Sequence, residues 1–242
     1  MTNIAHSCVA MWSGPRNIST AMMYSFGNRA DCTAWDEPFY GFALKQRGHD
    51  HPLRDEIIAA NECDWHELVD QCTTPAAKPI FYQKHMTHHM LPDFDRSFVN
   101  KLSNAFLIRS PEKVLASYKQ KWSDASLENI GFVQQAEIFD QVANHLGHAP
   151  PVIDADQFLS APEAKLQKLC TALNIKFDTA MLHWPKGPKP FDGVWAPHWY
   201  NAVWQSTGFE KPMLRDEKID STLQKIADTA RPYYAKLRAF AL

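Results

Sequence analysis

Glycine is scarce in this chain, 9 of 242 residues, and no Gly-rich tract or internal repeat is present. Collagen-like and low-complexity architectures are excluded on that count. Cysteine is sparse as well: Cys8, Cys32, Cys63, Cys72 and Cys170 are odd in number and contain no C-x-x-C pair. A disulfide scaffold and a zinc site of paired cysteines are disfavoured, and reduced thiols in a cytoplasmic compartment are the economical expectation. A surplus of one charge is also missing. The 25 basic and 27 acidic residues give a net charge of −2, far from the positive excess that coating a nucleic acid requires. One small anion held by a few placed cations is still compatible with that balance. No apolar run approaches the ~20 residues of a membrane span. The opening MTNIAHSCVAMWSGPR lacks the basic start of a secretory signal.

What is present is an ordinary globular composition, 45% hydrophobic and 21% charged, long enough to bury a sizeable core. Without linker or low-complexity tract, one domain over residues 1–242 is expected. The order of local signals carries more. Residues 4–12 form a short β-compatible run that ends in Ser13-Gly14-Pro15, and residues 18–28 read as a helix with Ile18, Met22, Met23 and Phe26 on one face. Further strands are expected at 32–35, 79–83, 104–108 and 151–154. Further helices are expected at 56–69, from Pro111 to about residue 122, at 132–146, at 162–173 and at 218–242. Residues 41–54 read as a polar surface excursion. Residues 184–204, with Trp184, Trp195, Trp199 and Trp204 and four prolines, read as a structured loop. Strands alternating with helices predict an α/β three-layer sandwich around a central parallel sheet.

The segment Ser13-Gly14-Pro15-Arg16-Asn17-Ile18-Ser19-Thr20 lies between the first strand and the first helix. That place offers unpaired backbone N–H groups and the positive end of a helix dipole, both aimed at an anion. Arg16 adds a permanently charged fork, and Ser19 and Thr20 add hydroxyls. The loop is not the G-x-x-x-x-G-K-[ST] of ATP and GTP hydrolases, since it has no lysine at the key position and no glycine before the hydroxyls.

It resembles the loop of the sulfotransferase family, which reads roughly P-[RK]-S-G-T-T and binds the 5′-phosphosulfate end of PAPS (3′-phosphoadenosine 5′-phosphosulfate). Pro15, Arg16, Ser19 and Thr20 match, while Asn17 and Ile18 stand where Ser and Gly are usual. The run from Phe106 to Tyr118, FLIRSPEKVLASY, resembles the family's 3′-phosphate element: a strand ending in Arg-x-Pro, then a serine within the helix. Arg109 leaves the end of the strand, where ligands of open α/β sheets bind. Ser117 follows eight residues later, about 12 Å along a helix axis. Lys113, Lys119 and Lys121 make the neighbourhood basic against the single acid Glu112. Lys186-Gly187-Pro188 resembles the late Lys/Gly loop that folds over the same phosphate.

The resemblance, to a bacterial-type member, implies a P-loop nucleotide-binding, sulfotransferase-like fold. It implies transfer of a sulfuryl group from PAPS to a hydroxyl or amine of an unidentified acceptor, whether small molecule, glycan or lipid, with release of adenosine 3′,5′-bisphosphate. It implies a cofactor site at Gly14, Pro15, Arg16, Asn17, Ile18, Ser19, Thr20, Arg109, Ser117, Lys186 and Gly187. No metal is required, because the nucleotide is already a good leaving group, and neither a nucleic acid nor a membrane span is expected. Arg16 is the candidate for stabilising the leaving oxygen. Two residues compete as general base: Glu37, just past the second strand, and His85, placed just past the third, with Lys84 and His85 as contacts to sulfuryl or acceptor when Glu37 is the base. The cluster His85-x-x-His88-His89 lacks an acidic partner at helical spacing. Two alternatives stay open: a kinase-type P-loop protein using another donor, and a non-catalytic adenosine-bisphosphate-binding protein. Oligomeric state stays open too, a homodimer included.

Overall fold

The computed structural model describes residues 6–48, 51–119, 125–210 and 218–242. The predicted features at residues 4–5, 49–50 and Lys121 lie outside them. Strand β1 (Ser7–Ser13) runs into the loop 14–18 and helix α1 (Ser19–Gly27), and β2 (Cys32–Asp36) follows. Three helices come next: α2 (Tyr40–Arg47), α3 (Arg54–Ala60) and α4 (Trp65–Thr73). Strands β3 (Ile80–Met86) and β4 (Ser103–Ile108) precede α5 (Pro111–Lys119), the single turn α6 (Leu127–Ile130) and α7 (Phe132–Leu146). The last strand β5 (Val152–Asp154) leads into α8 (Ala155–Ser160) and α9 (Pro162–Ala172). The short α10 (Ala196–Trp199) and α11 (Asn201–Gln205) precede the closing helix α12 (Ser221–Arg238).

All strands pair in parallel, in the order β2-β3-β1-β4-β5. The chain moves to one side of β1 for β2 and β3 and to the other for β4 and β5. The connections therefore part between the C-terminal ends of β1 and β4, which is where an open α/β sheet offers a crevice. Both faces of the sheet are covered. Val9, Met11, Tyr82 and Leu107 pack with Met22, Met23 and Phe26 of α1, whereas the alternate residues Ala10, Trp12, Phe106 and Ile108 pack with Ile138, Phe139 and Val142 of α7. Each of the buried Val, Leu, Ile, Phe and Met side chains among them contributes roughly 1.5–3 kcal/mol.

A buried glutamine ties α7 to the functional edge of the sheet. Gln135 Nε2 donates to the carbonyls of Trp12 (3.1 Å) and Leu107 (3.0 Å), beside the ends of β1 and β4. Across the sheet, Trp12 Nε1 donates to Asn104 Oδ1 at 2.7 Å. Among the described residues no helix is long and apolar enough to cross a membrane.

Three expectations are corrected. Residues 41–54 are not an irregular excursion: α2 starts at Tyr40 and buries Phe42, Ala43 and Leu44. Its apolar residues cluster in the first turns and its polar ones follow, so no 3.6-residue period shows. Gly48 ends it at φ 65° with its N–H on Leu44 O. The predicted helix 56–69 is two helices, because Asp64 caps α4 by accepting from the N–H groups of His66 and Glu67. The third strand continues through Met86, so Lys84 and His85 lie within β3 rather than past its end.

Candidate active site

The loop after β1 is held in a conformation that side chains resist. Arg16 and Ile18 both take left-handed backbone angles, φ 63° and 58°. A residue of this kind costs about 1–3 kcal/mol, more readily borne where the surroundings over-determine it, as at functional sites. Ile18 thus adopts, at a cost, what a glycine adopts freely. Gly14 answers a different constraint, since a Cβ there would stand 2.5 Å from the Ile130 carbonyl oxygen. The N-terminus of α1 has no cap from the Ile18 side chain, and the first N–H groups of a helix have no acceptor within the helix itself.

Arg16 is placed by tertiary contacts. Its Nε donates to Ser117 Oγ in α5 at 2.8 Å, and Arg109 Nη1 donates to its carbonyl at 3.2 Å. Burial and the neighbouring Arg109 charge hold the Arg16 guanidinium below its ordinary affinity for a proton. Among the described residues no carboxylate lies within ion-pair distance of Arg16. Arg109 has Asp156 at 3.7 Å, yet its buried Nε makes no hydrogen bond. Two guanidiniums in mutual repulsion, one with an unmatched donor, form a site for an anion. Arg16, Ile18, Arg109 and Ser117 line a cavity of about 310 Å³. Two other cations of the segment turn elsewhere: Lys113 pairs with Asp156 (3.0 Å) and Lys119 with Asp220, the N-cap of α12 (2.8 Å).

On the far side of Arg16 lies a second cavity, of about 200 Å³, and its floor is a buried ionic cluster. Register pairs Asp36 of β2 with Lys84 of β3. Lys84 Nζ donates to Asp36 Oδ1 (2.9 Å), Glu37 Oε1 (2.7 Å) and the Tyr200 hydroxyl (2.5 Å). That hydroxyl faces both Asp36 oxygens at 2.8–2.9 Å and accepts from Trp195 Nε1 at 3.1 Å. Lys84 is held protonated: burial opposes its charge, but the two carboxylates outweigh that. The Glu37 carboxyl titrates above its ordinary value, chiefly because it is buried and partly because of Asp36. Glu37 also carries a left-handed backbone, φ 43°.

Alternation along β3 separates the two candidate bases. Lys84 turns to the cavity, and His85 turns to the opposite face, stacked on Trp12 at 4.4 Å and hydrogen-bonded to Gln83 Oε1 at 3.0 Å. His85 lines neither cavity, and burial depresses its pKa to about 3. Just past the strand, His88 and His89 do line the second cavity. His89 stacks on Tyr40, and its Nε2 stands 4.0 Å from Glu37 Oε2. Burial, and then nearby cationic groups, depress His88 to about 3 and His89 well below the ordinary value. Among the described residues no group of three His, Cys, Asp or Glu side chains is placed to hold a metal ion.

Pro15, Arg16, Ser19, Thr20, Glu37 and Lys84 are thus brought together around the second cavity, and Arg16, Asn17, Ile18, Ser19, Thr20, Arg109 and Ser117 around the first. Lys186 and Gly187 join neither: Lys186 is exposed, and the Gly187 N–H donates to Trp204 O at 2.8 Å. Sequence reasoning assigned no role to Asp36, Arg47, His89 or Tyr200. A carboxylate ending a strand directly before Glu37 was the available signal for Asp36. Tyr200 had none, because it arrives from the aperiodic tryptophan-rich segment, of which Trp184 and Trp195 are buried and Trp199 walls both cavities.

Comparison with known proteins agrees with this architecture. Two Arabidopsis thaliana proteins, branched-chain-amino-acid aminotransferase-like proteins 1 and 2, are 36% and 35% identical to this chain over 229 and 228 residues, 94% of it in each case. The chain spans only 41% and 40% of their length, so their names describe longer proteins. The mouse sulfotransferase SULT7A1, solved in complex with PAP, superposes with a TM-score of 0.56 at 11% identity, covering 96% of this chain and 85% of that one. At that identity the likeness shows the fold, the P-loop-containing α/β fold of sulfotransferases. The sulfotransferase domain family itself matches residues 7–241, from the first residue of β1 to beyond the end of α12. With every described element inside that match, this chain belongs to the sulfotransferase domain family.

Proposed function

We propose that the chain transfers a sulfuryl group from PAPS to the hydroxyl or amine of a small acceptor and releases adenosine 3′,5′-bisphosphate. One observation carries the reading: two cavities, one lined by Arg109 and Ser117 and the other by Glu37 and Lys84, meet across Arg16, Ser19 and Thr20. The cavity of Arg109 and Ser117 suits the nucleotide, since its two mutually repelling guanidiniums and the unmatched Arg109 Nε call for a polyanion. The cavity of Glu37 and Lys84 suits the acceptor, since it sets a buried carboxylate beside the same loop.

In the step itself the acceptor oxygen or nitrogen attacks sulfur as the bond from sulfur to the 5′-phosphate oxygen breaks. The electron pair of that bond stays on the phosphate oxygen, where Arg16 meets the developing charge. The acceptor proton passes to the Glu37 carboxylate. Lys84 keeps that carboxylate oriented, its three N–H donors being taken by Asp36, Glu37 and the Tyr200 hydroxyl. His85 is left to the core, which favours Glu37 over it as base.

Adenosine 3′,5′-bisphosphate is expected to raise the thermal midpoint, with ATP, ADP and GTP giving less. At a ligand concentration of 100 Kd the gain is about 2.7 kcal/mol. Arg109→Ala should remove the preference for the 3′-phosphate without loss of fold. A preference for ATP with Mg²⁺ would replace this reading with a kinase-type one. Stabilisation by the bisphosphate with no transfer to any acceptor would indicate a binding protein instead. Glu37→Gln is expected to lower kcat/KM by roughly 100-fold. In the wild type kcat/KM falls as pH drops through the Glu37 pKa, which burial raises above the ordinary carboxylate range. Glu37→Gln abolishes that acid limb. An unchanged pH profile in Glu37→Gln removes Glu37 from the base role.

A further inference from the structure

The acceptor cavity is polar at two ends, and only one end serves the transfer. Glu37 is the single carboxylate among its described lining residues. From Glu37 a line of side chains leads away from the loop. His89 Nε2 is 4.0 Å from Glu37 Oε2, the His88 and His89 rings are 4.4 Å apart, and Arg47 Nη2 donates to the His88 carbonyl at 2.8 Å. The Lys84 charge is already met by Asp36 and Glu37. Arg47 is different. Its one carboxylate contact among the described residues is Glu128 Oε1 at 3.1 Å, and Glu128 is 67% exposed to solvent while Arg47 is only 18% exposed. A partly buried cation facing an exposed carboxylate is weakly compensated.

The histidines beside it add a second observation. His89 is buried and His88 half-buried; both line the cavity, and each has a buried ring Nδ1 without a hydrogen-bond partner among the described residues. Buried polar atoms of this kind are rare unless a ligand or water completes them. Both rings are held neutral, partly by the Arg47 charge. That end of the cavity therefore has positive potential, unmatched hydrogen-bonding atoms and no carboxylate of its own lining it. Tyr40, Leu44 and Trp199 supply apolar walls between the ends. At about 200 Å³ the space is smaller than the ~300–1,000 Å³ of pockets that take drug-sized ligands, so the occupant is compact.

We propose that the acceptor is a small hydroxy acid whose hydroxyl lies at Glu37 and His89 and whose carboxylate lies at Arg47 and His88. The inference rests on the sulfotransferase reading above and specifies its substrate class. A carboxylate meets a guanidinium in a directional, charge-assisted contact that a neutral isostere cannot reproduce. Arg47 thus selects among acceptors without touching the sulfuryl group.

The test uses the full chain loaded with adenosine 3′,5′-bisphosphate and two matched probe pairs: 4-hydroxyphenylacetate with 4-hydroxyphenylacetamide, and 3-hydroxybutyrate with 3-hydroxybutanamide. In calorimetric titration the acid of at least one pair is expected to bind at least ten-fold more tightly than its amide, and kcat/KM with labelled PAPS should follow the same order. Arg47→Gln should bring that acid down to the level of its amide, Arg47→Lys should keep part of the preference, and Glu128→Gln should increase it by removing the competing carboxylate. Bisphosphate affinity reports that each variant is folded. Amides equal to acids in both pairs, no measurable binding of either acid, or a preference that survives Arg47→Gln overturns the proposal and leaves the sulfotransferase reading standing. Failure of the wild type to bind the bisphosphate is a separate result that overturns both.

Discussion

Replacing Lys84 with methionine is expected to lower stability by about 3–5 kcal/mol, the usual cost of leaving buried charges without their partner. The side chains of Lys84 and Asp36 are 2% and 1% exposed, so water cannot take over the role of the ammonium. Glu37 at 2.7 Å would also lose its cation, and the Tyr200 hydroxyl would lose a donor. The measurement is a urea unfolding curve, in which the midpoint should fall with little change in slope. Adding Asp36→Asn to Lys84→Met should restore part of the loss, because one of the two stranded charges is gone. A Lys84→Met protein as stable as the wild type would mean that the cluster is not held as an ion pair. The pH sign follows from the raised Lys84 pKa. The stabilisation is complete below the unfolded lysine value of about 10.4 and is lost only as pH rises through the higher folded value.

The second large effect lies at the other end of the pH scale. His85 and His89 are buried, His88 is half-buried, and all three are held neutral, with His85 and His88 depressed to about 3 and His89 well below its ordinary value. In the unfolded chain each titrates near 6.5. A depressed folded pKa gives stability that is present above the unfolded value and lost as pH falls, at about 1.4 kcal/mol per pH unit for each ring. Three rings together give about 4 kcal/mol per unit, against a total stability of roughly 5–15 kcal/mol. Acid unfolding is therefore expected between about pH 3 and 5, with proton uptake. His85→Phe separates this effect from packing. It leaves Gln83 Oε1 without its partner and so lowers stability at pH 7.5 by about 1–3 kcal/mol. It should still flatten the pH dependence by about one third. A slope unchanged by His85→Phe would show that this ring is not held neutral.

The fold was legible in the sequence where the signals are local. Helix α7 occupies residues 132–146 as predicted, because Gly131 and Gly147 bracket a clean apolar period. The crevice at the ends of β1 and β4 was legible for the same reason: strand, turn and helix follow one another at Arg16 and again at Arg109. The acceptor side was only half legible. Glu37 stands out at the end of β2, but Lys84 reads as a strand terminator, since a lysine within a central strand is unfavourable by itself. Its strand position is made tolerable by Asp36, a register partner 48 residues earlier, and by Tyr200, 116 residues later. Sequence periodicity contains no such long-range pairing. The side on which His85 falls depends in turn on that one strand extending three residues past Gln83, to Met86.

The placement of Trp199 and Tyr200 has a thermodynamic consequence. These neighbours, at the end of α10 and just after it, wall both cavities, and Tyr200 also anchors the Asp36–Lys84 pair. A ligand that moves this wall on entering one cavity would alter the shape offered by the other and so link the two sites energetically. Linkage of that kind is reciprocal: whatever factor the nucleotide applies to acceptor affinity, the acceptor must apply to nucleotide affinity. Because that factor is the same in both directions, it measures how strongly the two cavities cooperate, and a substitution in the shared wall is where it would change.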